Sequence, residues 1–238
     1  MIKLAITGCM GRMGQRIIEL AQKDKEFQIV ALIESPNRKD VPELTMGLPV
    51  FKDISMLKGA DVLIDFTLPE ATPSLLKACH EYKVRMVIGT TGLGAKENSQ
   101  VEAISHDIAI VKSSNMSIGV NVVFGLLKKM AETLKGYNVS ITETHHIHKK
   151  DAPSGTAKSM AEVVEAASGA KVQDVASVRE GEVVGYHKVT FESPVDTIEL
   201  SHNAKTRDMF AEGALVAAKF IAKKNSGLYN MQQVLGLI

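Results

Sequence analysis

Up to Val111 the chain alternates between two hydrophobic periods, and this alternation restricts its fold more than any other feature. Ile2 to Thr7 is an apolar run of strand length, after which Met13, Ile17, Ile18 and Ala21 recur at helical spacing. Gln28 to Ile33 is apolar again and leads into a loop, Glu34 to Gly47, carrying Pro36, Pro42 and several charges. Val62 to Phe66 reads as a third strand, and Pro69 is placed to start a helix that runs to about Tyr82. Met86 to Ile88 reads as a fourth strand, Gly89 to Gly94 as a turn, Val101 and Ile104 as part of another helix, and Ile108 to Val111 as a fifth strand. Short strands with no polar alternate face are buried on both sides. Their regular interruption by helices calls for parallel pairing. Right-handed crossovers then give an α/β, doubly wound, Rossmann-like sheet, the architecture of a nucleotide domain.

The pattern changes near Asn115. Ile118 to Leu134 is one long helical segment, and the strands expected after it, Val139 to Thr144 and Thr197 to Ser201, alternate apolar with polar residues. Strands with one wet face suit an open mixed sheet, so a second, smaller α+β domain is expected. Met209 to Ile221 is apolar at helical spacing and is expected to pack back on the first domain. The expected division is 1–116 with 207–238 as the dinucleotide-binding domain and 117–206 as the domain for substrate binding and oligomerisation. No internal repeat or low-complexity stretch interrupts this plan.

Composition narrows the partners. The formal net charge is +1 over 238 residues, so the chain has no global electrostatic footprint for nucleic acid or membrane. Tryptophan is absent and aromatics make up 5%, a poor supply of stacking platforms for bases. No stretch approaches the roughly 18 apolar residues of a membrane helix. The beginning of the chain does not read as a secretory leader, because Gly8 and Arg12 break its only apolar run. Two cysteines, Cys9 and Cys79, do not make a disulfide framework. A cytoplasmic protein is expected.

Gly8, Gly11 and Gly14 follow the first strand directly and open the first helix. A glycine turn there lets the backbone approach a pyrophosphate, and the helix start offers free N–H groups and a partial positive charge. The spacing is Gly-x-x-Gly-x-x-Gly, not the commoner Gly-x-Gly-x-x-Gly, so an ordinary tight turn is the competing reading. Glu34 ends the second strand 34 − 14 = 20 residues past the last glycine, where an acid accepts from ribose hydroxyls. Arg38 and Lys39 lie just beyond and suit a 2′-phosphate, so use of NADH and NADPH is expected. Three further turns, Phe66 to Glu70, Gly89-Thr90-Thr91-Gly92 and Ser113-Ser114-Asn115-Met116, fall at strand ends where such sheets bind ligands. Gly89 to Thr91 suits a nicotinamide ribose and Ser113 to Met116 a carboxamide.

The densest chemical cluster runs from Glu143 to Thr156, with three of the seven histidines at 145, 146 and 148, then Lys149 and Lys150. Ser154-Gly155-Thr156 opens a helix continued by Ala157, Met160 and Val164, whose first amides suit a carboxylate. His145 suits general acid–base work, and the Lys149 ammonium suits charge neutralisation or proton donation. A solvated histidine loop and a zinc site are the alternatives. Zinc fits poorly beside two lysines with no cysteine pair, and no metal is expected. Ser154 lacks the Gly-x-Ser-x-Gly setting of a hydrolytic nucleophile and reads as a helix cap.

Together these segments resemble the dihydrodipicolinate reductase family nearly end to end. The matching pieces are Gly8 to Gly14, Asp65-Phe66-Thr67, Gly89 to Gly92, Asn115 to Asn121, Glu143 to Ala157, Arg179-Glu180-Gly181 with Gly185 and His187, Asp196 to His202, and Arg207 with Phe210 to Ala214. His-His-x-x-Lys-x-Asp-Ala-Pro-Ser-Gly-Thr-Ala is the most specific of them. The resemblance implies an oxidoreductase that reduces 4-hydroxy-tetrahydrodipicolinate to tetrahydrodipicolinate, with loss of water and hydride from NAD(P)H. It implies His145 as acid–base residue and Lys149 as proton donor. His146, Lys149, Ser154, Gly155 and Thr156 would hold the carboxylates of a dianionic substrate. The dinucleotide would lie against Gly8, Cys9, Met10, Gly11, Arg12 and Met13, with Glu34, Gly89, Thr90, Thr91, Ser113, Ser114, Asn115 and Met116. A homotetramer built through the second domains is also implied. Ser35 stands where relatives often carry arginine after the acid, which tilts the expected preference toward NADH. Another two-domain nicotinamide dehydrogenase, or a dinucleotide sensor without activity, is the competing reading; neither accounts for the His145 to Thr156 block.

Overall fold

The computed structural model describes residues 1–238. In chain order the elements are β1 (Ile2–Thr7), α1 (Arg12–Lys23), β2 (Phe27–Ile33), β3 (Leu44–Thr45), β4 (Leu48–Phe51), a 3₁₀ turn (Ile54–Leu57), β5 (Val62–Asp65), α2 (Thr72–Tyr82), β6 (Arg85–Ile88), α3 (Ala95–Ser105), β7 (Ala109–Lys112), α4 (Ile118–Thr133), β8 (Asn138–His145), α5 (Gly155–Ser168), β9 (Asp174–Arg179), β10 (Gly185–Glu192), β11 (Thr197–Ala204), α6 (Asp208–Ile221), β12 (Gly227–Tyr229) and α7 (Met231–Val234). They form two compact units, one of residues 1–117 with 210–236, the other of residues 118–209; Ile238 goes with the first and Leu237 with the second.

The first unit is built on an eight-stranded sheet in the order β12-β7-β6-β5-β1-β2-β4-β3. Every pairing is parallel except the short β3–β4 contact at one edge. Alternate residues of the central strands feed two cores. Leu4 and Ile6 pack with Ile17 and Ile18 of α1 and Ala214 and Ala218 of α6, while Ala5 and Leu63 pack with Leu75 and Leu76 of α2 and Val101 of α3. All four residues of β5 are buried, and the first three, Val62 to Ile64, are apolar as a strand covered on both faces requires. Each fully buried leucine or isoleucine contributes roughly 1.5–3 kcal/mol, and the doubly wound α/β unit rests on these two layers.

Several elements depart from the expected ones. β5 stops at Asp65, and Phe66 belongs to the following turn. α2 starts at Thr72 with Pro73 in its first turn; Pro69 lies upstream, in a turn closed by the Ala71 amide on the Leu68 carbonyl at 3.0 Å. Pro73 therefore has the role the sequence pattern gives to Pro69. The stretch Glu34 to Gly47 contains β3 and is not all loop. A two-residue strand is too short to show a period.

In the second unit a four-stranded mixed sheet runs β11-β10-β8-β9, antiparallel except for β8 with β9. One face packs on α4 and α5 through Phe124, Leu127, Ile141, Met160, Val189 and Phe191. The residues between them, such as Thr142, Thr144, Lys188 and Thr190, are only half buried. No helix of either unit is long and apolar enough to cross a membrane.

Candidate active site

In the first unit β1 ends at Thr7 and the chain turns at once into α1. Gly8 has φ +65, and a Cβ there would sit 2.9 Å from the Phe66 carbonyl oxygen. A Cβ on Gly14 would come within 2.2 Å of the Gly8 carbonyl oxygen, so α1 starts flush against the turn. Gly11 stands at the N-cap with no side chain to cap the helix. The first-turn amides and the positive end of the helix dipole therefore face the turn.

Glu34 closes the other side. Its carboxylate is 8% exposed and accepts from the Met10 amide at 3.0 Å and the Ser35 amide at 2.9 Å, with the Arg38 guanidinium 3.7 Å away. Between them opens a cleft of about 630 Å³ lined by Gly8, Gly11, Glu34, Arg38, Lys52 and Leu68 among others. Lys52, absent from the sequence reading, donates to the Arg38 carbonyl at 2.8 Å. The pairing of Ile33 with Phe51 brings it beside Glu34.

The remaining residues expected at the dinucleotide divide by exposure. The Cys9 side chain is buried in the core and its thiol is pushed up to about 11, first by burial and then by Glu34. Cys9 thus offers backbone only. Arg12 is exposed in the first turn of α1, and Met13 packs against the core. Gly89, Thr90 and Thr91 follow β6, and Ser113 to Met116 follow β7; neither segment lines the 630 Å³ cleft. They stand two and three strands from β1, roughly 10 and 14 Å along the row of strand ends at about 4.8 Å per strand. Thr91 and Ser114 are exposed, whereas Thr90, Asn115 and Met116 are buried. The Asn115 side chain accepts from the Ser117 amide at 2.8 Å, and the Ser113 hydroxyl donates to the Asn115 carbonyl at 2.9 Å, which fixes that turn.

Asp65 organises the turns. It is fully buried and accepts from the Thr67 amide at 3.0 Å, the Thr67 hydroxyl at 2.6 Å, the Thr72 hydroxyl at 3.0 Å and the Thr7 hydroxyl at 3.3 Å. Thr90 joins by accepting from the Thr67 amide at 3.0 Å. Burial raises the Asp65 carboxyl against the opposing pull of these donors. A turn whose first and last residues are glycines, helix amides without a side-chain cap and an acid just past the end of β2 fit a dinucleotide's pyrophosphate and ribose.

The second unit holds the histidines. Glu143 and His145 lie two apart on β8 and so share a face. Glu143 is fully buried; one carboxylate oxygen meets His145 Nδ1 and the Arg179 Nη1 atom, the latter at 3.0 Å. The other oxygen accepts from Arg179 Nη2 at 2.9 Å and from the Ser154 amide at 3.2 Å. Burial alone would raise the Glu143 carboxyl, but Arg179, then the neighbouring Ser177 and His145, outweigh it and hold it at about 2. Burial lowers His145 from its usual value while Glu143 pulls the other way. Across the sheet, the His187 ring stands edge-on to His145 at 5.1 Å, and its Nε2 meets the Ser154 hydroxyl at 3.0 Å. Burial, then the neighbouring His145, takes His187 down to about 4, and its Nδ1 is buried without a partner.

Lys149 does not touch His145. Its ammonium donates to the Asp151 carboxylate at 2.8 Å. Arg179 Nη2 reaches the Asp151 carbonyl at 2.6 Å, so one guanidinium ties the lysine loop to the Glu143–His145 pair. Ser154 caps α5 by accepting from the Ala157 amide at 3.2 Å and is 2% exposed, so its hydroxyl is engaged by the cap and by His187. Gly155 is exposed and Thr156 half buried in the first turn. His146 is half buried, with Nδ1 unpartnered. No group of three or more His, Cys, Asp or Glu side chains is arranged to hold a metal. Arg179 and His187 complete the constellation and were assigned no role from the sequence, because they come from β9 and β10, far from residue 145 in the chain.

The likeness to known proteins covers both units. A family model described as dihydrodipicolinate reductase, N-terminus, matches residues 2–116, and one described as dihydrodipicolinate reductase, C-terminus, matches residues 119–235. The chain is 40% identical over 265 residues to the 4-hydroxy-tetrahydrodipicolinate reductase of Nitrosomonas eutropha, covering 100% of this chain and 99% of that protein. It is 38% identical over 252 residues to the reductase of the same name from Caldanaerobacter subterraneus, covering 98% of each. Among solved structures, dipicolinate-bound dihydrodipicolinate reductase from Paenisporosarcina sp. TG-14 shares the fold, with TM-score 0.83, 23% identity and 98% of each chain covered. The amine dehydrogenase of Mycobacterium smegmatis shares it more loosely, with TM-score 0.65, 11% identity and 97% and 95% covered. Matched in both halves by one family's models and two-fifths identical to a full-length member, the chain belongs to the dihydrodipicolinate reductase family.

Proposed function

We propose that the chain is a nicotinamide-dependent oxidoreductase that reduces 4-hydroxy-tetrahydrodipicolinate to tetrahydrodipicolinate, with loss of water, in lysine and diaminopimelate biosynthesis. The observation that carries this reading is the polar layer of the second unit, where an oriented imidazole, an ammonium and a helix start are linked through one guanidinium. A dianionic ring suits that layer. The amide end of α5 at Gly155 and Thr156 and the His146 ring take its carboxylates, and Lys149 turns from Asp151 toward the ligand. Ser154 supports this by fixing the helix start. When bound, the reduced nicotinamide supplies hydride. His145 handles the proton near the ring and Lys149 donates one to the reduced product.

The first unit is the dinucleotide-binding domain. Gly8 to Met13 hold the pyrophosphate, mainly by backbone, Glu34 the adenosine ribose, Gly89 to Thr91 the nicotinamide ribose, and Ser113 to Met116 the carboxamide. Both NADH and NADPH are accepted, since a carboxylate and two cations line the same cleft, and NADH is favoured because Ser35 stands where relatives often carry arginine. The second unit carries substrate binding and, through its open sheet, assembly of a cytoplasmic homotetramer.

The test follows NADH oxidation by absorbance, with substrate formed in place by the synthase from pyruvate and aspartate semialdehyde. Turnover is expected; a folded sample that oxidises no NADH overturns the assignment. Lys149→Ala is expected to lower kcat by roughly 10²–10⁴-fold, the usual contribution of a positioned proton donor, with the fold retained by circular dichroism.

A further inference from the structure

We infer that Glu143 is the positioning residue for His145, fixing which ring nitrogen meets the substrate, and that Arg179 holds this pair and the Lys149 loop in one arrangement. This rests on the reading of His145 as the residue that exchanges a proton at the substrate.

The geometry allows one consistent assignment of protons. Each Glu143 oxygen accepts two hydrogen bonds, one oxygen from His145 Nδ1 and Arg179 Nη1, the other from Ser154 N and Arg179 Nη2. The Arg179 guanidinium bridges both oxygens and pairs a fixed positive charge with them, so the carboxylate is ionised and acceptor-only. His145 Nδ1 must then carry hydrogen, and Nε2 of the neutral ring is the lone-pair nitrogen. Nε2 lies on the far side of the ring beside Gly185, where an added Cβ would stand 3.1 Å from it. The lone pair is thus turned away from the carboxylate, as base chemistry requires. The charged and titratable groups around the ring are Glu143 on its own strand, Arg179 on β9, His187 on β10 and Lys149 on the following loop. Glu143 is the only anion among them.

Arg179 extends the device. Its Nη2 also donates to the Asp151 carbonyl at 2.6 Å, and the Asp151 carboxylate holds the Lys149 ammonium. One side chain from β9 therefore sets the imidazole, through Glu143, and the loop that bears the lysine.

Glu143→Gln separates positioning from packing. The amide is nearly isosteric, but one of its ends now donates. The Ser154 amide cannot become an acceptor, whereas an imidazole can by moving its proton. Either end of the amide meets one Arg179 N–H, but only the His145 end also faces a group that can accept, so the new NH₂ faces His145, which takes up the Nε2–H form and loses its lone pair toward the substrate. Expected for the full chain in the coupled assay is a fall in kcat of at least 100-fold with KM changed less than about threefold, in line with the loss when a triad carboxylate becomes an amide. The limb of the pH–rate profile belonging to His145 shifts to lower pH, because an anion beside the ring is gone. Glu143→Asp, which keeps the charge, is expected to retain more activity than Glu143→Gln.

A second measurement does not depend on any variant at Glu143. Imidazole ¹⁵N NMR of the wild-type chain, with the His145 signal assigned by its loss in His145→Asn, is expected to show hydrogen on Nδ1. Hydrogen on Nε2, or a folded Glu143→Gln variant with unchanged kcat and pH profile, overturns the inference. A chain that shows the Nδ1–H form but oxidises no NADH leaves the inference standing and removes the proposed reaction instead.

Discussion

Glu34 stands where two demands meet. Its carboxylate already serves two backbone amides, faces Arg38 at 3.7 Å, and shares its cleft with Lys52. Glu34→Gln removes the charge that draws Arg38 and that is proposed to meet the ribose hydroxyls. The KM for NADH is expected to rise about tenfold, the size of one charge-assisted hydrogen bond, while the KM for NADPH stays level or falls. Steady-state assays with the two cofactors check this, and equal rises for both would assign Glu34 to the turn alone. Lys52→Ala is expected to do the reverse and weaken NADPH more than NADH. Glu34 was legible in the sequence, because its distance from Gly14 is set by one helix and one strand. Lys52 was not, since only the pairing of β4 on β2 brings it there. The same holds at the other site. Glu143 and His145 share a strand face by simple alternation, but nothing local announces that Arg179 will meet them.

Among the elements, those that bury both faces were the readable ones. β1, β2, β5, β6 and β7 carry short, mostly apolar runs, and α1 between the first two keeps a clear period through Ile17, Ile18 and Ala21. Edge strands escaped notice because they are short: β3 has two residues and β12 three. β10 escaped for another reason. Its inward positions are Gly185, His187, Val189 and Phe191, so its core-facing stripe turns polar toward the histidine layer. The helix α6 makes a sharper point about contact. A Cβ on Gly213 would lie 1.7 Å from the Met116 carbonyl oxygen, at the turn assigned to the carboxamide. Gly213→Ala is expected to destabilise the chain by about 3 kcal/mol, the upper end of overpacking costs, and to raise the KM of the dinucleotide by displacing Met116. Urea unfolding measures the first effect, and an unchanged midpoint would contradict so close a crossing.

Taken as a whole, the molecule has its acid sensitivity concentrated in one layer. His187 is held at about 4 against an ordinary 6.5, so between these values the unfolded chain takes up a proton that the folded chain refuses. Stability from this group is present above pH 6.5 and drains as pH falls to 4, by about 3 kcal/mol at most. His145 and His202, also lowered by burial, act in the same direction. Glu143, held at about 2 against an ordinary 4.5, adds a further loss between pH 4.5 and 2. The melting temperature is expected to decline steadily below pH 6.5, and His187→Asn to flatten the decline between 6.5 and 4. A flat wild-type curve over that range would contradict the burial of a neutral His187.

The way the first unit is threaded has a consequence for its birth on the ribosome. Residues 118–209 are contiguous and can collapse as soon as they emerge. The sheet of the first unit lacks its outermost strand, β12, until residues 227–229 arrive, and its core lacks α6 until just before. During that wait the β7 border and the apolar bed of α6 lie open to the surroundings, a template for wrong pairing. The piece translated first is thus the last to be sealed, and the nascent chain needs protection longest at its oldest end.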